Sequence, residues 1–283
     1  MPGEEETFDS EEFAPKKSSS GFKFKLETII PIIVIIGVIL LIVFKTNVLS
    51  GGIPLFEGSG VSILVIGSPS PETVSVLNDA ENKDVIKQWR LQNVEAIEYN
   101  PKERIKPYDI IILDQSMSSD KSISRTIGEA LDAFVKSGGK LIVVLNSGIE
   151  RTGSSDVIGW TATIGDIIPV TCDYGIYKVP TCKNTIRVDG FILANRSNSK
   201  QSGYKITYGI ERVPALETAG LIQTETYKVG VVGNEIAYLV DARTGATYPA
   251  IIEKPLLLGK VIYFNYNPGK TKTLLINTIK YLK

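Results

Sequence analysis

Histidine is missing from all 283 residues. That removes the side chain most often used as a general base near neutral pH and the commonest metal ligand, so any catalysis must run without imidazole. Cysteine is scarce: the sequence has 2, Cys172 and Cys182, too few for a four-thiolate zinc site, with no histidine to complete the shell. No metal is expected, and the pair is left as a disulfide or as two thiols. An excess of charge is missing too. Lys plus Arg and Asp plus Glu both number 31, so no basic field draws the chain to nucleic acid and no acidic field calls for a basic partner. The segment 267–273 reads NPGKTKT, but a phosphate loop needs glycine where Phe264 stands. GSPSP, after the first apolar strand, lacks the spacing of a dinucleotide fingerprint. No cofactor is expected.

What the chain has is one long apolar run. Thr28–Phe44, TIIPIIVIIGVILLIVF, carries no charge. With Lys45 snorkelling and Thr46–Leu49 adding a turn, it reaches the span of a bilayer. Pro31 falls in the first helical turn, where a missing N–H has no intrahelical partner anyway. The run exceeds the apolar core of a cleaved signal and no A-x-A site follows it, so residues 26–49 read as a signal anchor, one single-pass transmembrane helix. Lys16, Lys17, Lys23 and Lys25 precede it and only Lys45 follows closely. The positive-inside rule then puts the N-terminus in the cytoplasm and the rest in an extracytoplasmic compartment. Residues 1–25, with GEEETFDSEE and KKSSSG, hold few large apolar side chains and read as a disordered tail. The glycine-rich segment 50–60 reads as a linker.

Residues 61–283 read as one folded domain. VSILVIG (61–67) and KLIVVLN (140–146) are continuous apolar runs of the kind found in strands covered on both faces. Pro71 opens a predicted helix through about Gln92, and VEAIEY (94–99) and DIIILDQ (109–115) are predicted as strands two and three. Residues 122–137 carry Ile123, Ile127, Ala130, Leu131, Phe134 and Val135 at helical spacing, stopped by Gly138 and Gly139. The order implies right-handed crossovers and a mostly parallel sheet between helix layers. From about 166 to 255 shorter, partly alternating runs predict a β-rich insertion, before KVIYFNY (260–266) and a last amphipathic helix.

DIIILDQ, then EALDAFVKSGGKLIVVLNSG, then GKVIYFNYNPGKTKTLLINTIKYL together resemble the class I glutamine amidotransferase-like superfamily, in particular its membrane-associated members. The resemblance covers most of 61–283 and implies a flavodoxin-like sheet. It also implies a cysteine nucleophile in the turn after the strand KLIVVL, activated by a histidine with an acidic partner. Here that turn reads Asn146, Ser147, Gly148, and no histidine exists. The family's triad cannot operate, because a thiolate or a serine hydroxyl depends on a base for activation.

In doubly wound sheets ligands bind beyond the carboxyl ends of the strands. The candidate crevice is therefore built from Ser68, Ser70, Asp114, Gln115, Asn146, Ser147 and Glu150, suited to a small polar molecule or a saccharide. An extracytoplasmic domain favours a Cys172–Cys182 disulfide, and there Asn195-Arg196-Ser197 forms a glycosylation acceptor. The functional expectation is a non-catalytic, membrane-anchored binding or scaffold module of the cell envelope, held by the bilayer through residues 28–44 and facing a protein or saccharide partner. Two alternatives stand beside it: a hydrolase using Ser147 or a carboxylate, and a structural subunit of a membrane complex.

Overall fold

The computed structural model describes residues 60–152, 157–161, 163–172, 182, 184–189, 191–192, 205–206, 223–241 and 243–283. The apolar run 28–44, the tail, the linker before Gly60 and the Asn195 triplet lie outside them. The chain divides into two units, Met1–Glu57 and Gly58–Lys283, and the following concerns the second. Among the described residues no helix is long and apolar enough to cross a membrane.

The first half alternates strands and helices. β1 (Val61–Gly67) leads to α1 (Pro71–Asn78), β2 (Ile86–Gln92), α2 (Val94–Glu98), α3 (Pro101–Ile105), β3 (Ile110–Asp114), α4 (Arg125–Lys136) and β4 (Lys140–Val144). The second half is mostly strands: β5 (Glu150–Thr152), β6 (Val157–Gly159), β7 (Val170–Thr171), β8 (Thr185–Asp189), β9 (Phe191–Ile192), β10 (Gln223–Tyr227), β11 (Gly230–Val231), β12 (Asn234–Val240), β13 (Thr247–Leu256) and β14 (Gly259–Phe264). A 3-10 turn (Pro268–Thr271) and α5 (Lys272–Leu282) close the chain. The main sheet has the order β2-β1-β3-β4-β14-β13-β12-β9. Its first five strands are parallel and the last three antiparallel. This is a mixed α/β fold whose mostly parallel central sheet is flanked by helices.

The apolar runs are continuous because both faces of the sheet are covered. Ile63, Val65, Ile110, Ile112, Ile142, Val144, Ile262 and Phe264 pack with Val76 and Leu77 of α1 and with Leu274, Leu275 and Ile279 of α5. The intervening residues Leu64, Ile66, Ile111, Leu113, Leu141, Val143, Val261 and Tyr263 pack with Ile97, Ile105, Ile127, Leu131 and Val135 on the other side. Period-two alternation thus sorts one apolar strand into two cores.

Two sequence expectations fail here. The helix predicted to Gln92 ends at Asn78, and Ile86–Gln92 is an edge strand pairing in parallel with β1. Asp79 takes an extended conformation at the helix end, and the Asn82 side chain donates to Val76 O at 2.9 Å, turning the chain back. The exposed Lys87, Gln88 and Arg90 that look like a helix surface are polar guards on an open edge. Residues 94–98 are a helix rather than a strand, because Asn93 Oδ1 accepts the Ala96 N–H at 3.0 Å and caps it.

The predicted β-rich region supplies β7 to β13. β12 and β13 extend the main sheet, while β8–β10 and β7–β11 form separate two-stranded ribbons. Asn265, fully buried just after β14, ties this region to the sheet. Its Oδ1 accepts the Tyr227 N–H at 3.2 Å and the Tyr263 hydroxyl at 3.1 Å. Its Nδ2 donates to Tyr227 O at 2.7 Å and to Pro249 O at 2.9 Å. Cys172, just after β7, is paired with Cys182, with Cα atoms 5.4 Å apart.

Candidate functional site

The carboxyl ends of β1, β3 and β4 converge, and the turns leaving them are bonded to one another. Gly67 ends β1 with φ 114°, and a Cβ there would meet Asp114 O at 2.5 Å. The close approach of the first and third strand ends therefore demands glycine. After β3, the buried Gln115 bonds in three directions. Its N–H donates to Ser147 Oγ at 2.7 Å. Its Oε1 accepts the Gly148 N–H at 2.9 Å, and its Nε2 donates to Ser122 O at 3.0 Å. Lys121 Nζ donates to Ser116 O at 2.8 Å and holds the same loop.

The turn after β4 is closed to solvent. Ser147 is 0% exposed, its carbonyl accepts the Trp160 Nε1–H at 3.0 Å, and the Thr163 hydroxyl donates to Gly148 O at 2.6 Å. Trp160 in turn packs edge-on against Tyr263 with ring centres 5.9 Å apart. Leu145, the first residue beyond β4, has φ 53°, an outlier for a bulky side chain. Its N–H donates to Phe264 O at 2.7 Å. The strained position of the turn holds an aliphatic side chain, which offers no nucleophile.

Asp114 is the chemically unusual group. It is 0% exposed. Its Oδ1 accepts the Ser116 N–H at 2.9 Å, while its Oδ2 and the neighbouring Ser116 Oγ have no hydrogen-bond partner among the described residues. Burial pushes its carboxyl up to about 6, an effect offset in part by Ser116 and by Lys121.

The predicted crevice residues therefore divide. Ser147, Gln115 and Asp114 come together at the strand ends, but as a bonded and buried cluster. Ser70 caps α1, accepting the Thr73 N–H at 3.1 Å and donating to Asn267 Oδ1 at 2.9 Å. Asn146 is half-buried in the turn, and Glu150 opens β5, its backbone paired with Gly159. The open space lies to one side: a polar crevice of about 250 Å³ lined by Gly67, Ser68, Asn93, Glu95, Glu98, Gln115, Asp120, Ser122 and Ser124. Only Ser68 and Gln115 among the predicted residues reach it. Asn93, Glu95 and Glu98 escape a sequence reading that takes 94–99 for a strand; the signal that finds them is asparagine at a helix N-cap. Three carboxylates and several hydroxyls give this crevice an acidic, hydrogen-bonding character, and within it the Ser122 hydroxyl donates to Asp120 Oδ1 at 2.7 Å. Among the described residues no group of three or more histidines, cysteines or carboxylates stands ready to hold a metal ion. A second hollow of about 620 Å³ runs along α4 between Arg125, Glu129, Asp132, Thr161 and Gly165.

No protein-family model matches the chain, and no curated protein matches its sequence. Its fold is similar to that of a cytoplasmic protein from Salmonella typhimurium LT2, with a TM-score of 0.52 and 15% identity over 78% of this chain and 99% of that one. A second cytoplasmic protein from Salmonella typhimurium aligns with a TM-score of 0.48 and 11% identity, covering 78% of this chain and 98% of that one. The cold-adapted β-galactosidase from Rahnella sp. R3 aligns with a TM-score of 0.44 and 12% identity, covering 79% of this chain and 31% of the enzyme.

Proposed function

We propose that this chain is a non-catalytic binding or scaffold module of the cell envelope, anchored by residues 28–44 with its α/β domain outside the cytoplasm. The observation that carries the non-catalytic half is Ser147. At the place where the amidotransferase-like resemblance puts a nucleophile, its hydroxyl is inaccessible and occupied by the Gln115 N–H, and no imidazole exists in the chain to activate it. The strand order β2-β1-β3-β4-β14 follows the flavodoxin-like pattern, which supports the frame that the resemblance implies. The anchored half rests on the uncharged run Thr28–Phe44. The crevice at Ser68 and the hollow along α4 are the surfaces such a module offers to a polar partner.

Two measurements test the two halves separately. The full chain is expected to stay in the membrane fraction through an alkaline carbonate wash, and to be released when residues 28–44 are deleted; release of the intact chain by the wash removes the anchor. Ser147→Ala is expected to lower stability by about 1–3 kcal/mol, because a buried N–H loses its acceptor, while leaving no hydrolase activity to lose. A hydrolytic activity present in the full chain and abolished by Ser147→Ala overturns the non-catalytic reading.

A further inference from the structure

We infer that the turn joining β13 to β14 is a membrane contact, and that the end of the sheet where β1 begins rests on the bilayer with Leu257 and Leu258 in its interfacial layer. This inference rests on the anchoring reading above. The turn itself is the first observation. Leu256 pairs with Gly259, so the connection consists of Leu257 and Leu258, where two-residue hairpins ordinarily carry Asn-Gly or a similar pair. Both leucines face water, 97% and 70% exposed. The turn is not loose: a Cβ on Gly259 would meet Val135 O at 2.0 Å, so the hairpin is seated against the last turn of α4. A braced turn that holds two leucines in water has an apolar surface that the described residues leave uncovered.

The second observation is where the chain enters. Register places Ile63, Ile110, Lys140 and Lys260 at one level across β1, β3, β4 and β14. Val61 and the leucine turn both lie beyond that level on the same side, within about two residues or ~7 Å of it. Three strand spacings separate β1 from β14, about 14 Å. Between Phe44 and Val61 stand residues 45–60, a length of chain that can reach about 55 Å at most. On the anchoring reading, that length of chain limits how far Val61 can stand from the lipid.

Charge is the third observation. Lys140 Nζ donates to Gly138 O at 2.7 Å and to Leu258 O at 3.1 Å, directly behind the turn. Lys260 stands beside it, its ammonium 4.1 Å from the centre of the Tyr281 ring. Two leucines backed by two lysines match an interface in which acyl chains lie below phosphates.

The test uses the full chain reconstituted into vesicles of phosphatidylcholine and phosphatidylglycerol, with Leu257→Cys carrying an environment-sensitive fluorophore. Met117→Cys, 63% exposed beyond the opposite end of β3, is the control, and the labelled parent chain is the blank. Doxyl-labelled lipid is expected to quench the label at 257 by about half, as an interfacial position requires, and to leave the label at 117 unchanged. Adding Leu258→Glu is expected to reverse most of that quenching. A chain that floats with the vesicles but shows equal quenching at 257 and 117 overturns the contact while the anchor stands. A label at 257 shielded from aqueous iodide yet untouched by doxyl lipid also overturns it, since a protein then covers the turn. A chain that does not float brings down both readings.

Discussion

Asn265→Ala is expected to cost about 4 kcal/mol or more, the largest effect of any single change proposed for this chain. Four hydrogen bonds converge on that one amide, and all four partners lose a bond when it is truncated. The Tyr227 N–H and carbonyl, the Pro249 carbonyl and the Tyr263 hydroxyl lie in or beside the covered sheet, where each unsatisfied group costs about 1–3 kcal/mol. The sum falls short of simple addition because the strands relax. The consequence is spatial as well as energetic. Tyr227 ends β10, Pro249 lies in β13 and Tyr263 in β14, so the amide docks the β8–β10 ribbon onto the sheet. Urea unfolding of the full chain in mild detergent measures the loss. Hydrogen exchange is expected to show early exposure of 223–227, with β1 and β3 protected until global unfolding. A loss below about 1 kcal/mol means that the amide does not hold the ribbon.

Asp114 governs the second large effect, through pH. Its carboxyl is raised from 3.8 to about 6 by burial, so the folded state favours the protonated form. Below about pH 4 the group is protonated in folded and unfolded chains alike, and it costs nothing. As pH rises from about 4 through about 6 the unfolded chain ionises first, and stability is lost. Above that window the cost levels off at about 3 kcal/mol. Asp114→Asn keeps the acceptor for the Ser116 N–H and removes the buried charge. The variant is therefore expected to gain on the parent as pH rises, with the difference in Tm widening by about 6–12 °C between pH 4 and pH 7. A Tm difference that does not change with pH shows that burial does not raise the Asp114 carboxyl. The same experiment bears on catalysis. A carboxyl that titrates near neutrality is a usual feature of active sites, but here it is sealed beneath the loop that Gln115 and Lys121 hold shut.

Some of this was open to direct reading. VSILVIG, DIIILDQ, KLIVVLN and KVIYFNY announce themselves as strands because a strand covered on both faces has no polar position, and that alone implies helices on either side. Helix α4 is equally plain, since Ile127, Ala130, Leu131 and Val135 recur at the spacing of one helical face. The edge strand was not legible. Ile86–Gln92 has one fully buried residue at its start and charges beyond it, so its pattern resembles the solvent side of a helix, and only its pairing with β1 identifies it. Residues 94–98 failed for the opposite reason: a five-residue helix is too short to show a period, and its cap, Asn93, is the sole local cue.

Composition by itself decided what this chain cannot do: without histidine there is no imidazole chemistry, and that follows from the side chains whatever their arrangement. It also marked out the strands of the central sheet, because burial on both faces leaves a mark in consecutive residues. The tertiary structure alone decided that Ser147, Gln115 and Asp114 meet, and that meeting they satisfy or bury one another, with Gln115 alone of the three reaching the open crevice. Hydrogen bonds between turns more than 30 residues apart leave no periodic trace in a chain, since their geometry depends on how the sheet brings the strand ends together.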